Sequence, residues 1–264
     1  MIPTKPYAPL LQVARQAAAA GAAVLAGRDE AKFNLDDKSA AGDWVTDFDR
    51  GAERAIREAI RSARPHDELT GEEYPSSKPE HPSGVRWSID PLDGTSNFVR
   101  NIAYYCSSVG ACQQAGDGSE IWVAAAINAP ALGIEYFAMR GGGAWKHNSR
   151  TGKTVPLSGP VDSDAKILAT GFGYDAARRK FQATVLHDLL DDYVNVRRIG
   201  SAALDLCLVA EGALDAYAEF GTQEYDWAAG ALIAEEAGAA VGRPVGYPGW
   251  QYAGLIDPAK LPRP

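Results

Sequence analysis

The sequence predicts a mixed α and β protein, with an antiparallel sheet in its first half and alternating strands and helices in its second. Three observations predict it. Two amphipathic helical stretches open the chain, and runs rich in β-branched, aromatic and small residues follow up to Met139, separated by Gly or Pro turns. Beyond Ile167, strand-like and helix-like segments alternate. With 264 residues, 46% hydrophobic and 23% charged, the chain is long enough to bury one large core or two small ones, and its composition is not that of a disordered protein.

From Tyr7 to Leu25 the residues Leu10, Ala14, Ala17, Gly21, Val24 and Leu25 fall on one helical face, and this helix should end near Gly27. A polar segment, 34–43, leads to Thr46, which can cap a second helix with Asp49 in its positive first turn. Phe48, Ala52, Ala55, Ile56, Ala59 and Ile60 continue its apolar stripe towards Pro65. From spacing alone, Asp49 is a helix-dipole partner, and Glu72 and Glu73, between Gly71 and Pro75, form a solvated loop.

A Pro/Ser/Gly-rich loop, 79–84, precedes Val85, Trp87 and Ile89, which alternate as a half-buried strand should. Pro91 breaks that ladder, and Gly94 permits a tight turn whose backbone N–H groups can face a phosphate. Asp90 and Asp93 then project into one small space, where two carboxylates repel unless one is protonated or a cation lies between them. A divalent metal is the simpler answer.

Segments 104–111, 121–128 and 133–139 read as consecutive antiparallel strands, with a hairpin turn at Gly116-Asp117-Gly118. Gly141-Gly142-Gly143 lacks both the G-x-G-x-x-G spacing and the Lys-Ser/Thr of a P-loop, so it reads as a turn into one more strand. The polar stretch 151–164, with Pro156 and Pro160, marks a boundary between an N-terminal subdomain, 1–155, and a C-terminal one, 156–264. In the latter, 167–171 and 194–199 read as strands on either side of a helix over 176–190. Ser201 caps a helix whose buried face is Leu204, Cys207 and Leu208 and whose stop is Gly212. Segment 214–220 returns as a strand carrying Glu219, and a final helix spans 224–238 with Asp226 as its N-cap. A cap of that kind contributes about 1 kcal/mol and needs no chemistry to explain it.

A formal net charge of −8 argues against general affinity for nucleic acid or anionic membrane, so the expected partner is a small molecule. Cys106, Cys112 and Cys207 are odd in number and lack metal-ligand spacing, and read as reduced core thiols. His66, His81, His147 and His187 share no spacing of a ligand set or triad and are expected at the surface. The Ala-rich start is interrupted by Gln12, Arg15 and Gln16 and lacks a basic lead-in. Neither a signal peptide nor a transmembrane helix is therefore expected, which places the protein in the cytoplasm.

Three separated segments share one order and spacing: Gly71-Glu72-Glu73, the run from Trp87 through Ile89-Asp90-Pro91-Leu92-Asp93-Gly94-Thr95 to Phe98, and Asp226-Trp227-Ala228-Ala229-Gly230 with Leu232-Ile233 and Glu236-Ala237-Gly238. With Lys38 and the stretch from Asp43 to Asp49 upstream, they resemble the inositol monophosphatase family over most of the chain. That resemblance implies a layered α-β-α-β-α sandwich of the sugar phosphatase type, hydrolysis of a small phosphate monoester with two or three Mg²⁺ ions per active site, and a homodimer. It implies one ion held by Glu72, Asp90 and the Leu92 carbonyl, and a second by Asp90, Asp93 and Asp226, all hard oxygen donors.

By the same resemblance, Thr95 and Asp49 orient and deprotonate a water near Glu72, and the N–H groups of Gly94 and Thr95 hold the phosphate. Gly200, Ser201, Ala202 and Glu219 match positions that contact the alcohol part of the substrate. The structural readings of Glu72, Asp49 and Asp226 are reversed accordingly. Inositol 1-phosphate is the expected substrate, with histidinol phosphate, fructose 1,6-bisphosphate or another sugar phosphate as alternatives. A non-catalytic regulatory protein of the same fold is the reading from a different class. The chain departs from the family pattern at Tyr225, where Trp usually precedes the ligand Asp, and at Trp227, a bulky residue expected beside the site.

Overall fold

A computed structural model of the protein describes residues 6–30, 35–37, 44–116 and 118–263. It opens with α1 (Ala8–Leu25) and a 3-10 turn. Contrary to the sequence expectation, this helix is long and apolar enough to cross a membrane by composition. Its apolar side chains are used inside the protein: Leu11, Ala14, Ala17, Ala18 and Leu25 are buried, and Arg15 on its flank pairs with Glu135 at 2.7 Å. A hairpin of β1 (Leu35–Asp37) and β2 (Trp44–Thr46) leads into α2 (Asp47–Ala63). The predicted cap of α2 is observed, with Thr46 Oγ1 accepting from Phe48 N and Asp49 N, and the Asp49 carboxylate accepting from Thr46 N at 2.7 Å. Lys38, Asp43 and Asp117 lie outside the described residues.

The next strands form one seven-stranded sheet in chain order: β3 (Glu68–Gly71), β4 (Val85–Asp93), β5 (Cys106–Gln114), β6 (Glu120–Ala129), β7 (Ile134–Met139), β8 (Gly143–Asn148) and β9 (Lys153–Pro156). A short helix, α3 (Thr95–Val99), follows β4. The expected antiparallel succession holds from β4 onwards, whereas β3 runs parallel to β4. β3 is a correction, because the sequence reading placed only a loop around Glu72. With one apolar residue among Glu68-Leu69-Thr70-Gly71, it has no alternation to detect, and it is a strand because β4 pairs with it. β9 is an exposed edge strand inside the polar stretch read as a boundary.

After β9 the chain builds β10 (Ile167–Thr170), α4 (Ala176–Leu189), β11 (Asn195–Arg197), α5 (Ala202–Glu211), β12 (Ala216–Phe220), α6 (Glu224–Glu236), β13 (Val241–Gly242) and β14 (Trp250–Gly254). The strands form a second sheet of order β11-β10-β12-β14-β13. β10 is parallel to both β11 and β12, and β14 returns antiparallel to β12.

The layers follow from which face each residue buries. On β6, Trp122, Ala125 and Ile127 pack with residues of α5 and α6, whereas Val123, Ala124 and Ala126 pack with residues of α1 and α2. α5 and α6 are apolar almost all round, which is the pattern of a helix enclosed on every side. They lie between the two sheets, so the single buried face expected for α5 is too narrow: Ala203, Leu206, Val209 and Ala210 are buried as well. α4 closes the far side, with Val185 and Leu189 against Leu168, Ala216 and Ala218. The result is the α-β-α-β-α sandwich. The three cysteines are free and buried, as expected. His66, His81 and His187 are exposed and His147 is half-buried.

Candidate active site

In a regular strand, residues three apart point to opposite faces. Asp90 and Asp93 nevertheless line one cavity, because β4 bulges between them: Asp90 pairs with Ser108 and Asp93 with Cys106, leaving two residues of β4 opposite Ser107 alone. The Ser107 hydroxyl donates to Pro91 O at 2.7 Å and fixes the bulge, and Leu92 N donates to Asp90 Oδ1 at 3.1 Å. Gly94, at φ 94°, then turns the chain into α3. A Cβ there would meet Tyr104 O at 2.9 Å, so a larger residue is excluded on two counts.

The cavity has a volume of about 490 Å³. Glu72, just past the end of β3, lines it, as do Asp90, Leu92, Asp93, Gly94, Thr95, Gly200, Ser201, Ala202, Glu219 and Asp226. Of the predicted site residues only Asp49 is not part of the wall. It sits directly behind it: the Thr95 hydroxyl is shared between Asp49 Oδ1 at 3.1 Å and Leu92 O at 3.0 Å. Asp49 Oδ2 meanwhile accepts from Thr46 N and Thr46 Oγ1. The helix-cap and the chemical readings of Asp49 are thus compatible, one oxygen serving each.

Asp93 accepts from Ser201 Oγ at 2.6 Å and from Ala203 N at 2.7 Å, so Ser201 caps α5 and grips an acid of the other sheet at once. Burial pushes Asp93 up to about 6, against the pull of those donors and of Arg198. Asp226 is the N3 residue of α6, not its N-cap: Gln223 is the cap, and Gln223 N donates to Asp226 Oδ2 at 2.6 Å. Burial first, and then the charges of Asp93 and Glu72, hold Asp226 well above the ordinary carboxylate range. Glu219 accepts from Tyr217 OH at 3.0 Å, and burial pushes it up to about 7.

Among the described residues, no three His, Cys, Asp or Glu side chains form a group already able to hold an ion. The donor chemistry nevertheless fits Mg²⁺. Glu72, Asp90, Asp93, Asp226 and the Leu92 carbonyl offer oxygen alone, the set suited to a hard cation. Asp93 and Asp226 are both raised by burial, and Asp226 by the charges of Asp93 and Glu72 as well, so they gain from a divalent charge among them.

Arg178, Arg198, Tyr174, Asp205 and Tyr247 also line the cavity and were missed in the sequence. Arg178 reaches in from α4, donating to Gly221 O at 3.2 Å and to Tyr247 OH at 3.1 Å. Nothing local marks it, whereas Arg198 stands two residues before the predicted Gly200 and was within reach of the same pattern. Trp227 is a further correction. One residue along a helix turns about 100°, so Trp227 faces the core, edge-on to Trp122 at 5.8 Å. The bulk beside the site is that of Tyr225.

The sequence model of the inositol monophosphatase family matches residues 7–253. Inositol-1-monophosphatase SuhB of Mycobacterium tuberculosis (strain ATCC 25618 / H37Rv) is 41% identical over 252 residues, covering 90% of this chain and 85% of the relative. The solved structure of Mycobacterium tuberculosis SuhB superimposes with a TM-score of 0.77 at 38% identity, covering 96% of this chain and 93% of that one. The Nus factor SuhB of Pasteurella multocida (strain Pm70) is 34% identical, over 88% of this chain and 84% of its own. An IMPase/NADP phosphatase solved with Mg²⁺ and phosphate shares the fold at 21% identity and a TM-score of 0.67, covering 84% of this chain and 81% of that one. With the bulged strand, the all-oxygen donor set of the cavity and a family match that runs nearly end to end, this chain belongs to the inositol monophosphatase family.

Proposed function

We propose that the protein hydrolyses inositol 1-phosphate to inositol and inorganic phosphate, with two or three Mg²⁺ ions per site, as a cytoplasmic homodimer. The observation that carries this reading is the gathering of Glu72, Asp90, Asp93 and Asp226, from both halves of the chain, around one cavity that also holds Thr95. Mg²⁺ is the family's cofactor. When bound, it supplies Lewis-acid stabilisation of phosphoryl and leaving-group oxygens and lowers the pKa of a water. Glu72, Asp90 and the Leu92 carbonyl would hold one ion, and Asp90, Asp93 and Asp226 another.

The chain's own groups do the rest. Thr95 Oγ1 donates to Asp49 Oδ1 and Leu92 O, so that as its lone pair accepts a proton from the attacking water its own proton passes to the Asp49 carboxylate. The N–H groups of Gly94 and Thr95, where the chain enters α3, hold phosphate oxygens. Ser201 and Ala203 keep Asp93 aimed into the cavity. Glu219 accepts bonds from ring hydroxyls of the leaving alcohol. Arg178 and Arg198 line the same cavity, and they offset the Glu219 charge that would attract the ammonium of histidinol phosphate.

The test is phosphate release from inositol 1-phosphate, histidinol phosphate and fructose 1,6-bisphosphate with Mg²⁺, in wild type and Asp93→Asn. Inositol 1-phosphate should be fastest, and the variant slower by about 100-fold or more. Equal rates in the two proteins would overturn the site, and preference for another member of the panel would overturn the substrate. No release from any of them would favour a binding role, which the name of the Pasteurella multocida relative brings forward as the second reading.

A further inference from the structure

Asp49, Glu53 and Arg57 stand at i, i+4 and i+8 on one face of α2, and they are 0%, 0% and 5% exposed. Arg57 Nε donates to Glu53 Oε1 at 2.7 Å. A buried ion pair is often no more stabilising than apolar packing of the same volume, so helix stability does not explain this stripe. The remaining bonds of Glu53 and Arg57 do, because they go to the loop that carries Glu72. Glu53 Oε2 accepts from Glu73 N at 2.7 Å, Glu53 Oε1 accepts from Tyr74 N at 3.3 Å, and Arg57 Nη2 donates to Tyr74 O at 3.0 Å. On the other side of Glu72, Gly71 lies so close that a Cβ would run into the Glu53 carboxylate. Glu72 N itself donates to Ile89 O at 3.2 Å, one residue before Asp90.

We propose that Glu53 and Arg57 are positioning residues that fix Glu72 against Asp90. α2 then sets two parts of the site together: Asp49 behind Thr95 at its first turn, and Glu72 through the ion pair one and two turns later. The inference rests on the reading of Glu72 as a Mg²⁺ ligand. It makes the first ion, held by Glu72, Asp90 and the Leu92 carbonyl, sensitive to a pair that never touches it, while the second ion keeps Asp90, Asp93 and Asp226.

Two variants test this. Glu53→Gln/Arg57→Met removes both charges together, leaving no unpaired buried charge and one amide oxygen for the loop. Arg57→Lys keeps the charge and loses the two-pronged reach to Glu53 and Tyr74. Mg²⁺ dissociation constants are measured by calorimetry without substrate, then the Mg²⁺ concentration for half-maximal phosphate release, with the metal-free melting midpoint as control. The double variant should bind Mg²⁺ at one site about 10- to 100-fold more weakly, with half-activation shifted equally and kcat at saturating Mg²⁺ within about threefold of wild type. Arg57→Lys should shift the same constant in the same direction by a smaller factor, and it decides the matter if the double variant does not fold. Unchanged Mg²⁺ constants, even with a lowered melting midpoint, would show a purely structural pair and overturn the proposal. Should wild type bind Mg²⁺ yet release no phosphate, the proposed activity fails while the calorimetric shift still tests the positioning.

Discussion

Replacing Glu219 by Gln should stabilise the metal-free protein at pH 8 and leave its stability nearly unchanged at pH 4. Burial raises the Glu219 carboxyl from 4.5 to about 7, against the Tyr217 hydrogen bond and the charges of Arg198 and Arg178. The folded protein therefore binds this proton more tightly than the unfolded chain does. The stability linked to it is fully present below the unfolded value of 4.5, and it is lost as pH rises through about 7. At about 1.4 kcal/mol per pH unit, a displacement of that size corresponds to roughly 3 kcal/mol. Gln removes the ionisation while its amide oxygen can still accept from Tyr217 OH, now 3.0 Å from Glu219 Oε2. Urea unfolding in EDTA at several pH values measures the difference between the two proteins, so the titration of acids that do not interact with Glu219 cancels. That difference should grow from near zero at pH 4 to about 2 to 3 kcal/mol at pH 8. A difference that stays flat across this range, or a wild type that is the more stable at pH 8, would refute the reasoning. The same variant should raise KM for inositol 1-phosphate, because the carboxylate that is costly to bury is the one proposed to accept the ring hydroxyls.

Thr95→Val removes the hydroxyl shared between Asp49 and Leu92 O, and kcat should fall by about 100-fold while calorimetric Mg²⁺ binding is retained; an undiminished kcat would exclude Thr95 from the proton path. Gly171→Ala drives a Cβ into the Glu219 carboxylate, and it should cost about 1 to 3 kcal/mol in urea unfolding together with a higher KM. A wild-type midpoint for that variant would mean that Glu219 moves freely.

How far the site was legible depended on how local its causes are. Thr46 and Asp49 cap α2 within one turn, and the reading from spacing was right. Asp90 and Asp93 were correctly placed together, but the physical reason is a bulge set by Ser107 on the neighbouring strand, which a period of two alone contradicts. Asp226 was misplaced by one turn because an acid near a helix start satisfies free N–H groups as either N-cap or N3, and only the reciprocal bond to Gln223 N separates the two. The sequence reading singled out neither Glu53 nor Arg57 on α2. They are buried because the chain returns some 20 residues later to lay the Glu72 loop over them. Arg178 comes from a connection of the second sheet with no local signal, whereas Arg198 stands two residues before the predicted Gly200.

The chain changes sheet between β9 and β10, yet α5 and α6 belong to neither sheet alone. One side of this pair packs on Trp122, Ala125 and Ile127, and the other meets Ala169, Tyr217 and Ala253. The start of α5 holds Asp93 of the first sheet through Ser201 Oγ and Ala203 N, and the first turn of α6 carries Asp226 to the same cavity. Without α5, Asp93 would lose the two donors that offset its burial; without α6, the β6 face would be bare and the cavity would lack an acid. The acid cluster is therefore assembled by the seating of one helical layer between two sheets. A cation that binds across Asp93 and Asp226 binds only the packed arrangement, and by mass action it must stabilise the contact between the sheets as well as the site.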